Sequence, residues 1–298
     1  MASLKVLRRR IRSVTSTQQI TKAMEMVAAA KLRRAQARAL AARPYAIKLT
    51  EMLEHLAAVA RDQELPGPAF AGAPAAREPK HTALVLVGSD RGLCGSFNAA
   101  LFRTAEERLR AAEPGSLSLV VVGKKGRDYF RRRAWPVLAT FTDQGADANV
   151  EFARRVTADL LERFQSGAVD RVEILYTRFL SATRRRVTRE SFLPIGAEPE
   201  GEVPGVPGAG RAVRDVIFEP GLEPIFEALL PRFAVARLFA ALADSRASEE
   251  AARMLAMGAA TKNAGELLDL LVLQRNRLRQ TMITREILDI VGGAEALR

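Results

Sequence analysis

Apolar residues fall in heptad-like stripes at the two ends of this chain and in short runs between them, and the pattern changes where glycine and proline gather. Near the start, Leu4, Leu7, Ile11, Val14, Gln18 and Thr21 follow a 3,4 spacing, and Met24, Val27 and Ala28 continue it as a shifted stripe. Near the end the same spacing runs through Met254, Met257, Thr261, Ala264, Leu268, Leu271, Arg275, Leu278 and Met282. Such heptad-like stripes predict two long helices, each with one face to bury. Residues 1–43 contain no Pro or Gly and residues 232–298 contain no Pro, so nothing in either segment breaks a helix. At a rise of about 1.5 Å per residue these spans are about 65 Å and about 100 Å long. Two helices with matching stripes at opposite ends of a chain pair most simply as antiparallel partners, with the longer one able to overhang.

Between the stripes lie short apolar runs, Ala83–Val87, Leu117–Val122, Val137–Phe141 and Val172–Tyr176, each bounded by turn residues. Helical patterns at about 97–112, 125–133 and 149–165 separate them. Alternation of this kind predicts a mostly parallel sheet covered by helices. Residues 186–195 are expected to add an edge strand. The first helix is expected to pass Pro44 with a kink, ending in the Pro, Gly and Ala cluster at residues 65–79. A second Gly and Pro-rich stretch, Pro194–Gly210, reads as a loop into the C-terminal helix, whose start Pro224 and Pro231 mark. The expected division is a helix over 1–60, a linker over 61–80, an α/β domain over 81–220 and a helix over 221–298.

Charge changes this picture more than composition does. The chain carries a formal +12, and residues 1–43 hold 11 Lys and Arg against the single acid Glu25. The field therefore belongs to the first helix and calls for a negative partner: nucleic acid, an anionic membrane face or acidic protein loops. An Arg-rich, acid-poor start also shares the chemistry of an import signal, but the pattern runs past residue 40, long for a removable one. With 298 residues and 48% hydrophobic content a packed core is assured. Cys94 is the only cysteine, so no intrachain disulfide and no cysteine-built metal site can form. No apolar run approaches the roughly 20 residues that span a bilayer.

Candidate chemistry is sparse. Gly88-Ser-Asp-Arg-Gly-Leu-Cys-Gly-Ser-Phe-Asn98 follows a strand and precedes a helix, where doubly wound folds bind phosphates. Its glycines fall at 88, 92 and 95, which fits neither dinucleotide nor P-loop spacing, so it reads as a tight turn. Cys94 lacks a nearby base, because His55 and His81 lie on other elements. Adjacent acids such as Glu106 with Glu107, or Glu249 with Glu250, diverge around a helix and make poor acid/base pairs. A second basic cluster gathers Lys124, Lys125, Arg127 and Arg131–Arg133, and a third Arg184–Arg186 with Arg189; solvated surface is the default for both. Interleaved aromatics would favour nucleic acid, but aromatics are only 6% of the chain. The residues alone describe a structural or interaction protein built on a charged helical rod. A basic coiled-coil nucleic-acid-binding or scaffolding protein is the alternative, and a cysteine-dependent α/β enzyme a third.

Three segments sharpen this. Gln19-Ile-Thr-Lys-Ala-Met-Glu-Met-Val-Ala-Ala-Ala-Lys31, Ser89-Asp-Arg-Gly-Leu-Cys-Gly95, and Ser248-Glu-Glu-Ala-Ala-Arg-Met-Leu-Ala-Met257 continued by Ile283-Thr-Arg-Glu-Ile-Leu-Asp-Ile-Val-Gly-Gly-Ala294 together resemble the gamma subunit of F-type ATP synthase. The resemblance runs in order from about residue 3 to the end. It implies a Rossmann-like α/β body without a nucleotide site plus a long antiparallel coiled coil of the N- and C-terminal helices. It implies a non-catalytic central shaft, without cofactor or metal, inside a ring of three alpha and three beta subunits. The body would sit with epsilon on the c ring, with the membrane met only through the complex and no nucleic acid bound. That places the chain peripherally on the cytoplasmic face of a bacterial membrane.

By the same resemblance Arg8, Arg9, Arg10, Lys31, Arg33 and Arg34 would face acidic loops of beta, and Arg279 and Gln280 a beta catch loop. Met24 would lie near the level of the acidic loops, with simple packing an equal alternative. Ile287, Leu288, Ile290, Val291 and Leu297 would form an apolar tip in the sleeve of the ring. Asp215, Phe218 and Glu219 would meet epsilon and the c ring. No cysteine pair is inserted between residues 195 and 230, so a redox switch of the plant chloroplast kind is not expected.

Overall fold

The computed structural model describes residues 4–62, 80–145, 149–194 and 221–295. The expected linker cluster at 65–79, the 201–210 loop, Asp215, Phe218, Glu219 and Leu297 lie outside them. The chain forms two compact units, one made of Met1–Ala29 with Arg253–Arg298 and the other of Ala30–Ala252.

The second unit is an α/β body. Its five-stranded sheet comprises β1 (Thr82–Val87), β2 (Leu117–Val122), β3 (Val137–Phe141), β4 (Arg171–Phe179) and β5 (Arg185–Leu193) in the order β3-β2-β1-β4-β5. The first four strands are parallel and β5 runs antiparallel against β4 at the edge. Helices α2 (Phe97–Ala111), α3 (Lys124–Arg131) and α4 (Val150–Gln165) make the crossovers. Strands with both faces covered need apolar residues at every position, which is why β1 reads TALVLV and is buried throughout. Alternation then sorts the side chains between two layers. Leu84, Leu86, Leu119, Val121 and Leu175 pack on Leu101, Phe102 and Phe130 from α2 and α3. Val85, Val87, Val120, Val122, Val172 and Ile174 face Phe152, Val156 and Leu160 of α4.

The two long helices are α1 (Leu4–Asp62), with Pro44 inside it, and α5 (Leu222–Glu295). The latter begins before Pro224 and passes Pro231, so the second proline lies inside the helix and does not mark its start. Parts of both belong to the body, where Leu49, Leu53 and Leu56 of α1, and Phe226, Leu230, Ala234 and Leu238 of α5, join the layer that holds α4.

The other unit is a helix pair. Gln18 lies against Gly265, the Thr261 hydroxyl donates to Thr21 Oγ1 at 2.9 Å, and Glu25 lies against Gly258. Partner numbers fall as the first numbers rise, so the helices are antiparallel. Leu7, Ala28, Met257, Ala264 and Leu271 are the buried seam residues, with Ile11, Val14, Leu268 and Arg275 half-buried at the intervening heptad positions. The expected shift of the first stripe does not occur. Val27 is 53% exposed and the seam runs without a break through Gln18, Thr21, Glu25 and Ala28. A charged residue occupies the seam at Glu25 because Gly258 opposite has no side chain to exclude it, and Lys22 holds its carboxylate at 3.2 Å.

Candidate functional site

A parallel sheet that reverses its strand order leaves a crevice beyond the carboxyl ends of the two strands flanking the reversal, here β1 and β4. In this body α5 fills it. The Ser245 hydroxyl donates to the Val87 carbonyl at the end of β1 (3.1 Å), and the Ser248 hydroxyl to the Thr177 carbonyl of β4 (3.0 Å). Ala243, Ala247 and Ala251 are buried, the small residues that let this stretch of α5 lie close to its neighbours. Cys94 and Phe97 pack against Ala252 of the same helix.

The adjoining loop, Gly88–Ser96, is closed by its own polar groups. Asp90 Oδ1 accepts from the backbone N–H of Lys124 (3.0 Å), the first residue of α3, and its Oδ2 accepts from the N–H of Gln144 (3.1 Å) after β3. The Gln144 amide donates to the Gly88 carbonyl (2.9 Å), and Asn98 Nδ2 donates to Ser89 Oγ (2.8 Å) and reaches Cys94 Sγ (3.3 Å). N–H groups at a helix start attract anions; here a carboxylate of the chain itself satisfies the Lys124 donor. Gly123, with φ +104°, approaches the Gly88 carbonyl so closely that a Cβ would stand 2.6 Å from its oxygen, which explains the glycine there without any ligand. Lys124 pairs with Asp143 at 2.6 Å, and hydrogen bonds from Lys124 and Thr142 hold the Asp143 carboxyl below its usual range.

Cys94 is buried, with its Sγ 3.3 Å from the Asn98 amide and 4.0 Å from the Arg91 carbonyl; His81 is exposed and the His55 side chain lies outside the described set. The acid pairs divide. Glu106 is buried and Glu107 exposed, as expected of neighbours on a helix. Glu249 and Glu250, expected to diverge, both reach Arg246, at 2.7 and 3.3 Å, because they stand three and four residues after it on one helix. A further buried network joins Tyr176, whose hydroxyl donates to Glu190 (2.8 Å), to Arg237, whose guanidinium donates to the Ser191 carbonyl (2.8 Å). Burial, then the Glu190 charge, push the Tyr176 phenol well above its ordinary value. Among the described residues no group of three His, Cys, Asp or Glu is arranged to hold a metal.

Beyond the filled crevice, the described residues expected to meet partners all lie on α1 and α5. Arg8, Arg9 and Arg10 are exposed in the helix pair, and Met24 is half-buried beside the seam rather than in it. Extending the observed register sets Arg279 level with Leu4, so Arg279 and Gln280, both exposed, lie within about two turns of Arg8–Arg10. Lys31 is half-buried, and Arg33 and Arg34 exposed, on the stretch of α1 that belongs to the body. From Arg279 to Gly292 every side chain is exposed, including Met282, Ile283, Ile287, Leu288, Ile290 and Val291. Single exposed apolar residues are ordinary, but here six fall within ten residues. Heptad spacing places Met282 in the stripe, but its side chain is 50% exposed. Among the described residues Tyr45, on α1 itself, is the only exposed aromatic, so the basic helix offers nucleic-acid bases a single ring on which to stack. No described helix is long and apolar enough to cross a membrane.

Comparison with known proteins agrees with this geometry. The family model described as ATP synthase matches residues 3–297. The ATP synthase gamma chain of Moorella thermoacetica is 46% identical over the full length of both chains. That of Desulfitobacterium hafniense is 43% identical, also over both full lengths. Among solved structures, a chain of the Tetrahymena thermophila mitochondrial ATP synthase central stalk and c ring is 25% identical, with a TM-score of 0.61 over 81% of this chain and 99% of that one. A chain of the Euglena gracilis mitochondrial ATP synthase shares the fold, with a TM-score of 0.68 at 21% identity over 99% of this chain and 94% of that one. An α/β body whose crevice is filled by its own helix, joined in sequence to an antiparallel helix pair with a bare apolar end, thus has its counterpart in these proteins, and the chain belongs to the ATP synthase gamma-chain family, non-catalytic rotor subunits held peripherally in a membrane complex.

Proposed function

We propose that the helix pair is the shaft inside a ring of alpha and beta subunits, and that the body seats it, with epsilon, on the c ring at the cytoplasmic face of a bacterial membrane. Ion flow turns the ring and the shaft with it, and the unequal faces of the shaft drive each beta subunit through open and closed states. The observation that carries this reading is the end of α5, where an apolar run from Met282 to Val291 is exposed. Such a run needs a sleeve that covers it. Ile287, Leu288, Ile290 and Val291 form that bearing tip, with Leu297 assigned to it by sequence alone. Arg279 and Gln280 meet a beta catch loop, and Arg8, Arg9, Arg10, Lys31, Arg33 and Arg34 face acidic beta loops, with Met24 at their level. Exposed ion pairs are worth about 0–1 kcal/mol each, weak enough to break and re-form at every step. Asp215, Phe218 and Glu219 are assigned to epsilon and the c ring, again from sequence. Residues 1–60 and 221–298 are proposed as the shaft helices, 61–80 as the linker and 81–220 as the body.

The test is the assembled complex in sealed vesicles, with ATP synthesis driven by an imposed ion gradient. Arg279→Ala with Gln280→Ala is expected to lower synthesis while assembly with alpha and beta persists, and Ile287→Ser with Ile290→Ser to do the same. Wild-type synthesis rates in a chain lacking residues 280–298 would refute the tip's role.

A further inference from the structure

The third basic cluster has no place in the shaft. It lies at the end of the β4–β5 hairpin, where the segment Arg178–Arg189 contains Arg178, Arg184, Arg185, Arg186 and Arg189 and no acid. Its turn is tied down: the N–H groups of Leu180 and Ser181 donate to the Arg184 carbonyl, at 3.2 and 2.9 Å, and the Arg184 N–H donates to Ser181 Oγ at 3.0 Å.

Two features separate this tip from other basic surface on the body. First, the strand register sets Arg178 directly opposite Arg186. Like charges directly opposed across an antiparallel pair destabilise it, so this pairing works against the fold. Second, Lys124, Arg133, Arg154 and Arg163 elsewhere on the body each have an acid beside them, Asp143, Glu106, Glu151 and Asp159 in turn. Arg189 reaches Glu173 at 3.9 Å. Arg178, Arg184, Arg185 and Arg186 have no ion pair or side-chain hydrogen bond with any described residue.

We infer that this hairpin tip is a docking element for an acidic cleft on a partner protein. Residues paired across two strands share a face, and neighbours along a strand alternate. Arg178 and Arg186 therefore point from one face of the ribbon, and Arg185, paired with Phe179, from the other. Charge on both faces, with Leu180 at the apex 52% exposed, suits a cleft lined by carboxylates that receives a narrow tip. A flat anionic bilayer would meet only one of the two faces. Base stacking would need an aromatic, and no exposed one accompanies these arginines. Carboxylates in such a cleft would also relieve the Arg178 and Arg186 repulsion, giving bound and free states different energies at this hairpin.

The experiment uses the full chain and a fluorescent peptide of ten glutamates as probe, read by anisotropy at about 0.1 M salt, where the Debye length is about 10 Å. Arg178→Ser/Arg185→Ser/Arg186→Ser is expected to weaken peptide binding about tenfold, from the loss of three charge contacts. Arg103→Ser/Arg131→Ser/Arg132→Ser removes the same charge from exposed sites on the same body and is expected to weaken it less than about twofold, since screened charges outside the contact add little. Equal losses in the two variants would overturn the inference, since overall charge would then be responsible. Retained peptide binding with lost binding to phosphatidylglycerol vesicles, or to a duplex oligonucleotide, would overturn it in favour of those ligands. Arg186→Thr alone is expected to raise the thermal midpoint by about 1–3 °C through relief of the opposed pair. A fall in the midpoint would refute the claim that this pairing opposes the fold.

Discussion

Removing the Asp90 carboxylate tests whether the strand-end loops are held by a charge belonging to the chain. Its two oxygens accept one backbone N–H each, from Lys124 at 3.0 Å and Gln144 at 3.1 Å, so Asp90→Ala strips partners from two donors in different loops. Hydrogen bonds to charged groups contribute about 1.5–3 kcal/mol each. Asp90 is half-buried, and water can reach part of the site, so the lower figure applies to both bonds. The expected cost is about 3 kcal/mol, which lowers the midpoint of a body of this size by about 6–12 °C. Asp90→Asn keeps the shape and one acceptor oxygen but turns an NH2 toward the other N–H, and it is expected to lose about 2 kcal/mol. The assay is calorimetric unfolding of the full chain and both variants, following the transition of the α/β body. A loss under about 1 kcal/mol for the Ala variant would show that water replaces the carboxylate at no cost. Wild-type stability for the Asn variant would show that the charge is not needed. Either outcome refutes the argument that an internal anion closes this loop cluster.

Gly123→Ala places a Cβ 2.6 Å from the Gly88 oxygen at φ +104° and is expected to cost at least about 2 kcal/mol in urea unfolding, whereas Gly115→Ala, at φ +82° with open space around it, costs about 1 kcal/mol. Equal costs at the two positions would show that the close approach at Gly123 is unimportant. Tyr176 has a phenol pKa raised by burial and by Glu190, so its contribution is fully present below about pH 10 and fades as pH rises from there through the higher folded value. Midpoints measured between pH 8 and 11 are therefore expected to fall more steeply for the wild type than for Tyr176→Phe; parallel profiles would exclude this coupling. In the helix pair Leu271→Ala, at a buried seam position, is expected to cost at least about 2 kcal/mol. Leu288→Ser, at a site 64% exposed, is expected to stay within about 0.5 kcal/mol, and a large loss there would mean that the tip is packed within the isolated chain.

Much of this architecture is legible in the sequence because it rests on local periodicity. The runs at Leu117–Val122 and Val137–Phe141 are strands with those same ends, and the 185–193 edge strand differs from its expected span by a residue or two. Buried parallel strands need continuous apolar runs, and amphipathic helices need a period near 3.6, so both patterns are carried by neighbours in the chain. The C-terminal stripe held from Met254 to Leu278 for the same reason. In the N-terminal helix the rule misled. Periodicity preferred Met24 and Val27 as apolar residues, yet the seam takes Glu25, and the cause lies more than two hundred residues away at Gly258. A residue's fitness for a seam depends on the size of what faces it, which no local pattern records.

The exposed tip and the basic hairpin show the same division. Sequence supplied their composition, while exposure from Arg279 onward, and the opposition of Arg178 to Arg186, follow from where pairing stops and how two strands align. The glycine-bearing loop after β1 shows it most clearly. Its spacing excluded the common phosphate motifs from the residues alone. That the space is taken by α5, through Ser245 and Ser248, and that Asp90 spans two loops to supply an anion of its own, was decided by tertiary structure. Sequence by itself determined the helices, the strands and the positive field, because these depend on residue type and short-range order. Tertiary structure decided which polar groups meet and which apolar residues stay bare, because those depend on contacts between segments far apart in the chain.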